Sequence, residues 1–287
     1  MDGAKSDRNG PRSWIMIPAA FDYIRAGSAE EALAALAEHG DDAKVMAGGH
    51  SLIPLMKFRL ATPGVIVDVG HLREDLRGIT VSGDVVHIGA LTRHSELEHS
   101  LDLATACPML AHVASVVGDP SVRHRGTIGG SLAHADPASD LPAAAIALGA
   151  TLVARGPNGE REIGVDDFFT GFLESALQPD ELLTAIRVPV ATGGWAYEKF
   201  NRRAQDWAIV AVAVAEGGKG VSLVNMGSTP LRANSVQDAV AAGASVDDAA
   251  LHAGDGAAPP SDQNGDAAYR GHLATVLTRR ALAAAGV

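Results

Sequence analysis

Cysteine is nearly missing from this chain: Cys107 is the only one. A lone cysteine excludes a disulfide within the chain and an iron–sulfur cluster ligated by this chain's own thiolates, so any such cluster belongs to a partner. Cys107 itself stands before Pro108 in an apolar helical stretch and reads as a small buried hydrophobe. Basic runs are missing too. Lys and Arg number 23 against 34 Asp and Glu, a net charge of −11, and no stretch makes a basic stripe. Nucleic acid and anionic membrane are therefore poor partners, and a polyanionic cofactor would have to be held by local backbone donors. No apolar run approaches the roughly 20 residues of a membrane span, because charge or glycine interrupts the Ala-rich stretches. Residues 1–13 carry Lys5, Arg8, Asn9, Gly10 and Pro11 with no apolar segment behind them, so they read as a polar tail and not a signal peptide. The expected location is the cytoplasm. His94, His99, His124 and His134 lack metal-ligand spacing and read as surface or supporting groups. No acid/base pair or triad stands out, so neither a catalytic residue nor a metal ligand is expected of this chain.

What is present is a sequence of 287 residues, 47% hydrophobic, long enough for sizeable cores and two or more domains. Ser28, followed three residues later by Glu31, caps a helix whose apolar period runs through Leu33, Leu36 and Ala37 to Gly40. Residues 44–46 make a short strand that enters Ala47-Gly48-Gly49-His50-Ser51, and 52–60 look helical. A buried strand at 65–69 is followed by a hairpin, 79–81 with 85–88, and by helices at 93–99 and 109–117. Residues 118–140 form a long polar connection, of the length that in a compact domain is usually functional. A helix is expected at 141–148, strands at 151–154, 160–165 and 181–188, and a linker at Gly193-Gly194. Strands at 196–200, 207–215 and 220–225, a helix at 235–242, a loop at 254–265 and a helix at 269–285 complete the chain. The expected layout is α+β: residues 1–16 a polar tail, 17–62 an N-terminal α/β lobe, 63–190 a second lobe, and 191–287 a three-stranded antiparallel sheet with helices.

Gly48-Gly49 and Gly129-Gly130 are the chemical candidates. Consecutive glycines take positive φ freely, so their N–H groups can converge on one concavity that suits a phosphate. Two such places in one chain suit a dinucleotide, yet neither has Rossmann or Walker spacing. Taken alone, a Gly-Gly pair is as well explained by a tight turn.

Ala47-Gly48-Gly49-His50-Ser51-Leu52-Ile53-Pro54-Leu55-Met56-Lys57, Thr127-Ile128-Gly129-Gly130-Ser131 and Asp136-Pro137-Ala138-Ser139-Asp140 together resemble the paired FAD signature of the flavin subunits of molybdenum hydroxylases, the xanthine dehydrogenase and carbon monoxide dehydrogenase family. The resemblance runs from Ile17 through Tyr197-Glu198-Lys199-Phe200 and Asp206-Trp207-Ala208 to Asn225-Met226-Gly227-Ser228-Thr229-Pro230, nearly the whole chain. The opening before Phe21-Asp22-Tyr23 and the His50-Ser51-Leu52-Ile53-Pro54 form of the first motif are most similar to medium subunits of aerobic carbon monoxide dehydrogenases. Ser131-Leu132-Ala133-His134 departs from the best-known of these, which carry Asn and smaller residues, and is also similar to nicotine-type members.

The resemblance implies a two-lobed FAD domain of the vanillyl-alcohol-oxidase (PCMH) type. Ala47, Gly48, Gly49, His50, Ser51, Leu52, Ile53 and Pro54 would meet the FAD from one side and Thr127, Ile128, Gly129, Gly130 and Ser131 from another, with Ser139, Asp140, Leu183, Lys199 and Trp207 as further contacts. Asp140 as a plain helix cap, Trp207 as core and Lys199 as a solvated charge remain the alternatives. Arg123 and Arg125 would either lend charge to a phosphate or be solvated. The molybdenum cofactor and 2Fe-2S clusters would sit on a large and a small partner subunit in a dimer of heterotrimers. Carbon monoxide and water would become carbon dioxide on the large subunit, with electrons passing through FAD to an external acceptor such as quinone. Nicotine-, aldehyde- and xanthine-type substrates are the alternatives, and attachment to the inner face of the membrane is an option. Two rivals stand outside this scheme: an oxidase with FAD covalently attached at His50, and a flavin-free scaffold.

Overall fold

The structure, a computed structural model, describes residues 16–72 and 76–287; the expected tail at 1–16, save its last residue, lies outside the described residues. Three parallel strands, β1 (Asp22–Arg25), β2 (Ala43–Met46) and β3 (Val65–Asp68), form a small sheet in the order β1-β3-β2. The helix Ala29–His39 covers it, burying Ala32, Ala35 and Leu36. Ser28 accepts the Glu31 N–H at 3.1 Å, a cap that contributes about 1 kcal/mol, and Gly40 ends the helix at φ +53°. Residues 47–51 leave β2 at the carboxyl ends of parallel strands, where open α/β sheets bind ligands.

A second sheet is antiparallel. Its strands are β4 (Ile79–Ser82), β5 (Val85–Gly89), β6 (Thr151–Gly156), β7 (Gly159–Gly164) and β10 (Leu182–Pro189), in the order β4-β5-β10-β6-β7. The pair β8 (Phe169–Gly171) and β9 (Glu174–Ser175) stands apart. The register of β10 slips between Leu183 and Ala185, a bulge that sends the Thr184 carbonyl to the Ala90 N–H at 2.9 Å. Where two helices are expected before residue 118, three form: His94–His99, Leu101–Ala106 and Pro108–Ser115. Pro108 opens the third, a position whose N–H has no helical partner anyway. Cys107 is fully buried between two of them, and burial pushes its thiol up to about 11, which leaves it inert.

The expected connection at 118–140 is corrected by the structure. It holds two short helices, Pro120–Arg123 and Ile128–His134, capped by Asp119 and Thr127. Four and seven residues are too few to show a helical apolar period, which is why the segment reads as irregular.

The C-terminal region adds a fourth strand to the expected three: β11 (Ala196–Phe200), β12 (Val210–Ala215), β13 (Gly220–Val224) and β14 (Leu231–Arg232), antiparallel in that order. The strand expected from 207 begins at Val210, leaving Trp207 in the preceding loop. β12 is buried on both faces: Val210, Val212 and Val214 pack toward the helix Ala267–Ala284, while Ala211, Ala213 and Ala215 join the core of the second lobe. The alanines let the helix Asp140–Ala147 approach closely. Its Ala143 carbonyl accepts from Ser222 at 2.6 Å, and a Cβ at Gly220 would lie 1.8 Å from the Ala147 carbonyl oxygen. The Gly193-Gly194 linker is held fast, with the Gly193 N–H on Glu216 at 2.8 Å and Gly194 pressed on Ala285. Both contacts tie the linker to the C-terminal region itself, beside the end of β12 and the end of its long helix.

Candidate functional site

A cavity of about 590 Å³ opens where the three parts meet, well within the roughly 300–1,000 Å³ of small-molecule pockets. Its walls take in Ala47, Gly48, Gly49, His50, Ser51 and Leu52 from the first motif, and Thr127, Gly129, Gly130 and Ser131 from the second. Ser139, Asp140, Leu183, Lys199 and Trp207 close it from the other sides. Ile53, Pro54 and Ile128 are not on the wall. Ile53 and Pro54 sit on the exposed side of the short helix Leu52–Lys57, and Ile128 turns into the core at 1% exposure.

The two motifs touch, backbone to backbone. A Cβ at Gly48 would lie 2.2 Å from the Arg125 carbonyl oxygen and 3.0 Å from the Gly126 Cα, so only glycine fits there. They nevertheless differ in kind. Gly49 takes φ +76°, and the N–H groups of Gly48, Gly49, His50 and Ser51 donate to no described residue. Gly129 and Gly130 are helical, contrary to the expected positive φ. Of their N–H groups, Gly129 donates to Ala90 at 2.9 Å and Gly130 to Thr127 Oγ1 at 3.2 Å, and Ile128 donates to Thr92 at 3.0 Å. Glycine is needed at 129 for room, since a Cβ would meet Ala90 Cβ at 2.6 Å.

Asp140 is not a helix cap: it is the first residue of its helix, after Ser139 at the cap position, and its carboxylate is engaged elsewhere. Lys199 Nζ donates to Asp140 Oδ2 at 2.9 Å and to the Val116 carbonyl at 3.0 Å, while the Tyr197 hydroxyl donates to Oδ1 at 2.5 Å. The ion pair is almost completely buried, with 9% and 6% of the two side chains exposed. Burial raises the Asp140 carboxyl above its ordinary value, against the pull of Lys199 and Tyr197; burial and the Asp140 charge push the Tyr197 phenol up. Lys199 is therefore not a solvated charge. Trp207 is not core either: 57% exposed, it presents its indole at the rim.

One residue read as surface or supporting belongs to the site in full. His94 is 3% exposed, lines the cavity, and has Nε2 3.1 Å from Ser131 Oγ. Burial pushes its pKa down to about 4, so the ring is neutral. Its sequence context, the polar run Arg93-His94-Ser95-Glu96, is that of a helix start and hides its burial. His134 also lines the wall with its pKa lowered by burial. Arg123 is turned away, paired with Glu98 at 2.8 Å and bound to the carbonyls of Val117 and Gly118. Arg125 is exposed outside the main cavity. Among the described residues no group of three or more His, Cys, Asp or Glu could hold a metal ion, and no helix is long and apolar enough to cross a membrane.

Known proteins are similar to this chain in sequence and fold. Residues 19–191 match the family described as FAD binding domain in molybdopterin dehydrogenase, and residues 195–285 match the CO dehydrogenase flavoprotein C-terminal domain. The chain is 43% identical to the carbon monoxide dehydrogenase medium chain of Afipia carboxidovorans, over 93% of this chain and 97% of that protein. It is 36% identical to the caffeine dehydrogenase subunit beta of a Pseudomonas species, over 94% and 96%. The solved carbon monoxide dehydrogenase of Hydrogenophaga pseudoflava superposes with a TM-score of 0.90 at 42% identity, covering 94% of this chain and 98% of that one.

Proposed function

Since the chain belongs to the family of FAD-binding molybdopterin dehydrogenase subunits with a CO dehydrogenase type of C-terminal domain, we propose that it carries one FAD as the electron relay of a multi-subunit molybdenum hydroxylase acting on carbon monoxide. One observation carries this reading: four neighbouring backbone N–H groups, at Gly48, Gly49, His50 and Ser51, have no acceptor among the described residues and border a cavity large enough for a cofactor. These residues are half-buried or exposed, so their N–H groups stay open to a ligand in the cavity, and an anion such as a pyrophosphate offers them acceptors.

In this reading the first motif holds the pyrophosphate through backbone N–H groups, so the acidic chain needs no basic patch. The second motif closes the cradle, with Thr127, Gly129, Gly130 and Ser131 as its wall. Trp207 and Leu183 offer apolar and aromatic surface to a flat ring. Asp140 fixes the Lys199 ammonium at the wall, where its positive charge favours an electron-rich ligand. Ile53, Pro54 and Ile128 support the motifs from behind. The flavin, when bound, supplies a centre that accepts electrons singly and releases them singly or in pairs. The chain's own part is to bind, orient and shield it.

Partners follow from the same reading: a large subunit with the molybdenum cofactor and a small subunit with 2Fe-2S clusters, assembled as a dimer of heterotrimers in the cytoplasm. Quinone is the proposed acceptor. The choice of carbon monoxide rests on relatives 41% and 43% identical, above the 36% of the caffeine enzyme. The test is to purify the chain alone and with its co-expressed partners, denature each in acid, and read the flavin spectrum of supernatant and pellet. Free FAD near one per chain, with iron and molybdenum only in the assembly and flavin reduced by carbon monoxide, is the expected result. Flavin in the pellet would move the reading to covalent attachment at His50, and no flavin in either fraction would leave the scaffold reading standing.

A further inference from the structure

His94, which is buried, and Ser131, which is half-buried, are joined by a contact that the reading above does not use. His94 opens a short helix, and its N–H donates to the Gly126 carbonyl at 3.0 Å. The ring packs against Gly126, just before the second motif: a Cβ there would meet His94 Cε1 at 2.8 Å and Nδ1 at 3.0 Å, so glycine makes room for the ring. Nε2 faces Ser131 Oγ at 3.1 Å, and the buried Nδ1 has no hydrogen-bond partner among the described residues. Ser131 Oγ makes no other hydrogen bond among the described residues, and Ser131 lines the cavity.

A neutral imidazole carries one proton on one nitrogen. Placed on Nδ1, it would leave a buried N–H without an acceptor, beside a Thr127 backbone outside hydrogen-bond geometry; orphaned buried N–H groups are rarer and costlier than unfilled lone pairs. Placed on Nε2, it is donated to Ser131 Oγ. The serine oxygen then accepts from the ring, and its own hydroxyl proton has to find an acceptor elsewhere. Among the described residues none accepts it, while the cavity lies alongside.

We propose that His94 is a positioning residue: by donating from Nε2 to Ser131 Oγ it turns the Ser131 hydroxyl proton into the cavity, as a donor to a phosphate oxygen of the bound dinucleotide. This rests on the FAD reading of the same site. It makes the second motif's contribution a side-chain hydroxyl, where the first contributes backbone N–H groups.

The experiment exploits two amide variants of different reach. His94→Gln places a side-chain N–H where Nε2 lies, and His94→Asn places one where Nδ1 lies. The full assembly is stripped of flavin with a mild chaotrope and titrated with FAD, following flavin fluorescence. Ser131→Ala and His94→Asn are each expected to weaken FAD about 10-fold, the worth of one hydrogen bond to a charged group, and the double variant by about 10-fold as well. His94→Gln is expected to return to within about 3-fold of the native affinity. Multiplicative losses near 100-fold in the double variant would overturn the proposal by showing the two residues act separately. Rescue by Asn and not by Gln would overturn it by placing the proton on Nδ1. Ser131→Ala, at a half-buried position, decides against the proposal by itself if FAD affinity is unchanged, whatever the histidine variants do to folding. If the native assembly binds no FAD, the functional reading falls first, and the proposal with it.

Discussion

The two glycine motifs are alike as sequence and unlike as structure. At Gly48-Gly49 the chain leaves a parallel strand, takes φ +76° at Gly49, and has four N–H groups with no acceptor among the described residues. At Gly129-Gly130 it is the first turn of a helix, with the N–H groups of Ile128, Gly129 and Gly130 already donated to Thr92, Ala90 and Thr127. In the first motif Gly48 makes room for the backbone of Arg125 and Gly126 while Gly49 takes the conformation that turns the donors outward; in the second, Gly129 makes room beside Ala90. A glycine pair thus has two physical meanings, and only the neighbouring backbone tells which applies.

The largest effect is expected at the wall both motifs face, which sets the scale for them. Lys199→Met would leave Asp140 buried without its counter-charge, a loss on the order of 3–5 kcal/mol at neutral pH. The folded-state pKa of Asp140 is already raised, and removing Lys199 raises it further. A raised carboxyl is tolerated when protonated and penalised when charged, so the deficit should shrink as pH falls through the carboxylate range. Thermal midpoints of native and variant proteins between about pH 7 and pH 4 check this; a deficit that stays constant would mean that Asp140 is not the group left stranded.

Next in size is a pair that separates the motifs directly. Gly48→Ala drives a Cβ against the backbone of Arg125 and Gly126, which no side-chain rotation relieves. FAD affinity should fall by more than about 100-fold, roughly 3 kcal/mol and the upper end of overpacking costs. Gly129→Ala presses on Ala90, in the turn after β5, and should lower the thermal midpoint while part of the flavin is kept. Equal flavin loss in both, with no difference in stability, would erase the distinction between donor cradle and packing wall.

The pH profile of the second motif offers a finer test. His94 is held near 4 in the folded protein against an ordinary 6.5, so the unfolded chain takes up a proton first as pH falls. Stability should therefore drop from about pH 6.5 to about pH 4, by up to about 3 kcal/mol from this group. Many carboxylates titrate in the same range, and the difference between native protein and His94→Gln in urea midpoints isolates the histidine. A slope unchanged in the variant would show that His94 is not held neutral by burial.

Much of this was legible in residues. The capped helix after Ser28, the hairpin at Gly83 and the strands β11 and β13 are set by local chemistry and appear where expected. The strand β12, Val-Ala-Val-Ala-Val-Ala, could be read as buried, but that its alanine face receives the helix from Asp140 depends on residues some 70 positions away. The same holds at the site. Lys199 and Trp207 were named by resemblance, whereas the burial of Lys199 on Asp140 and the pairing of His94 with Ser131 come from long-range packing, with no local pattern to announce them. The two short helices at 120–134 were hidden for the opposite reason, being too brief to establish a period.

The smallest expected effect is the most discriminating between the two meanings of glycine. Gly130 is helical, and alanine is preferred to glycine in a helix by about 1 kcal/mol. Against that gain, a Cβ at Gly130 would lie 2.8 Å from Thr127 Oγ1, the acceptor of the capping hydrogen bond, whose loss costs about 1 kcal/mol. The two nearly cancel, so Gly130→Ala should change stability by less than about 0.5 kcal/mol. Gly49→Ala meets only the end of the exposed Ile53 side chain, which can move aside, but it forces alanine to φ +76° at a cost of about 1–2 kcal/mol. Urea unfolding of the flavin-free proteins compares them without the cofactor's own stabilisation. If Gly130→Ala proves the more harmful, the second glycine pair is conformational after all, and the contrast between the motifs fails at its root.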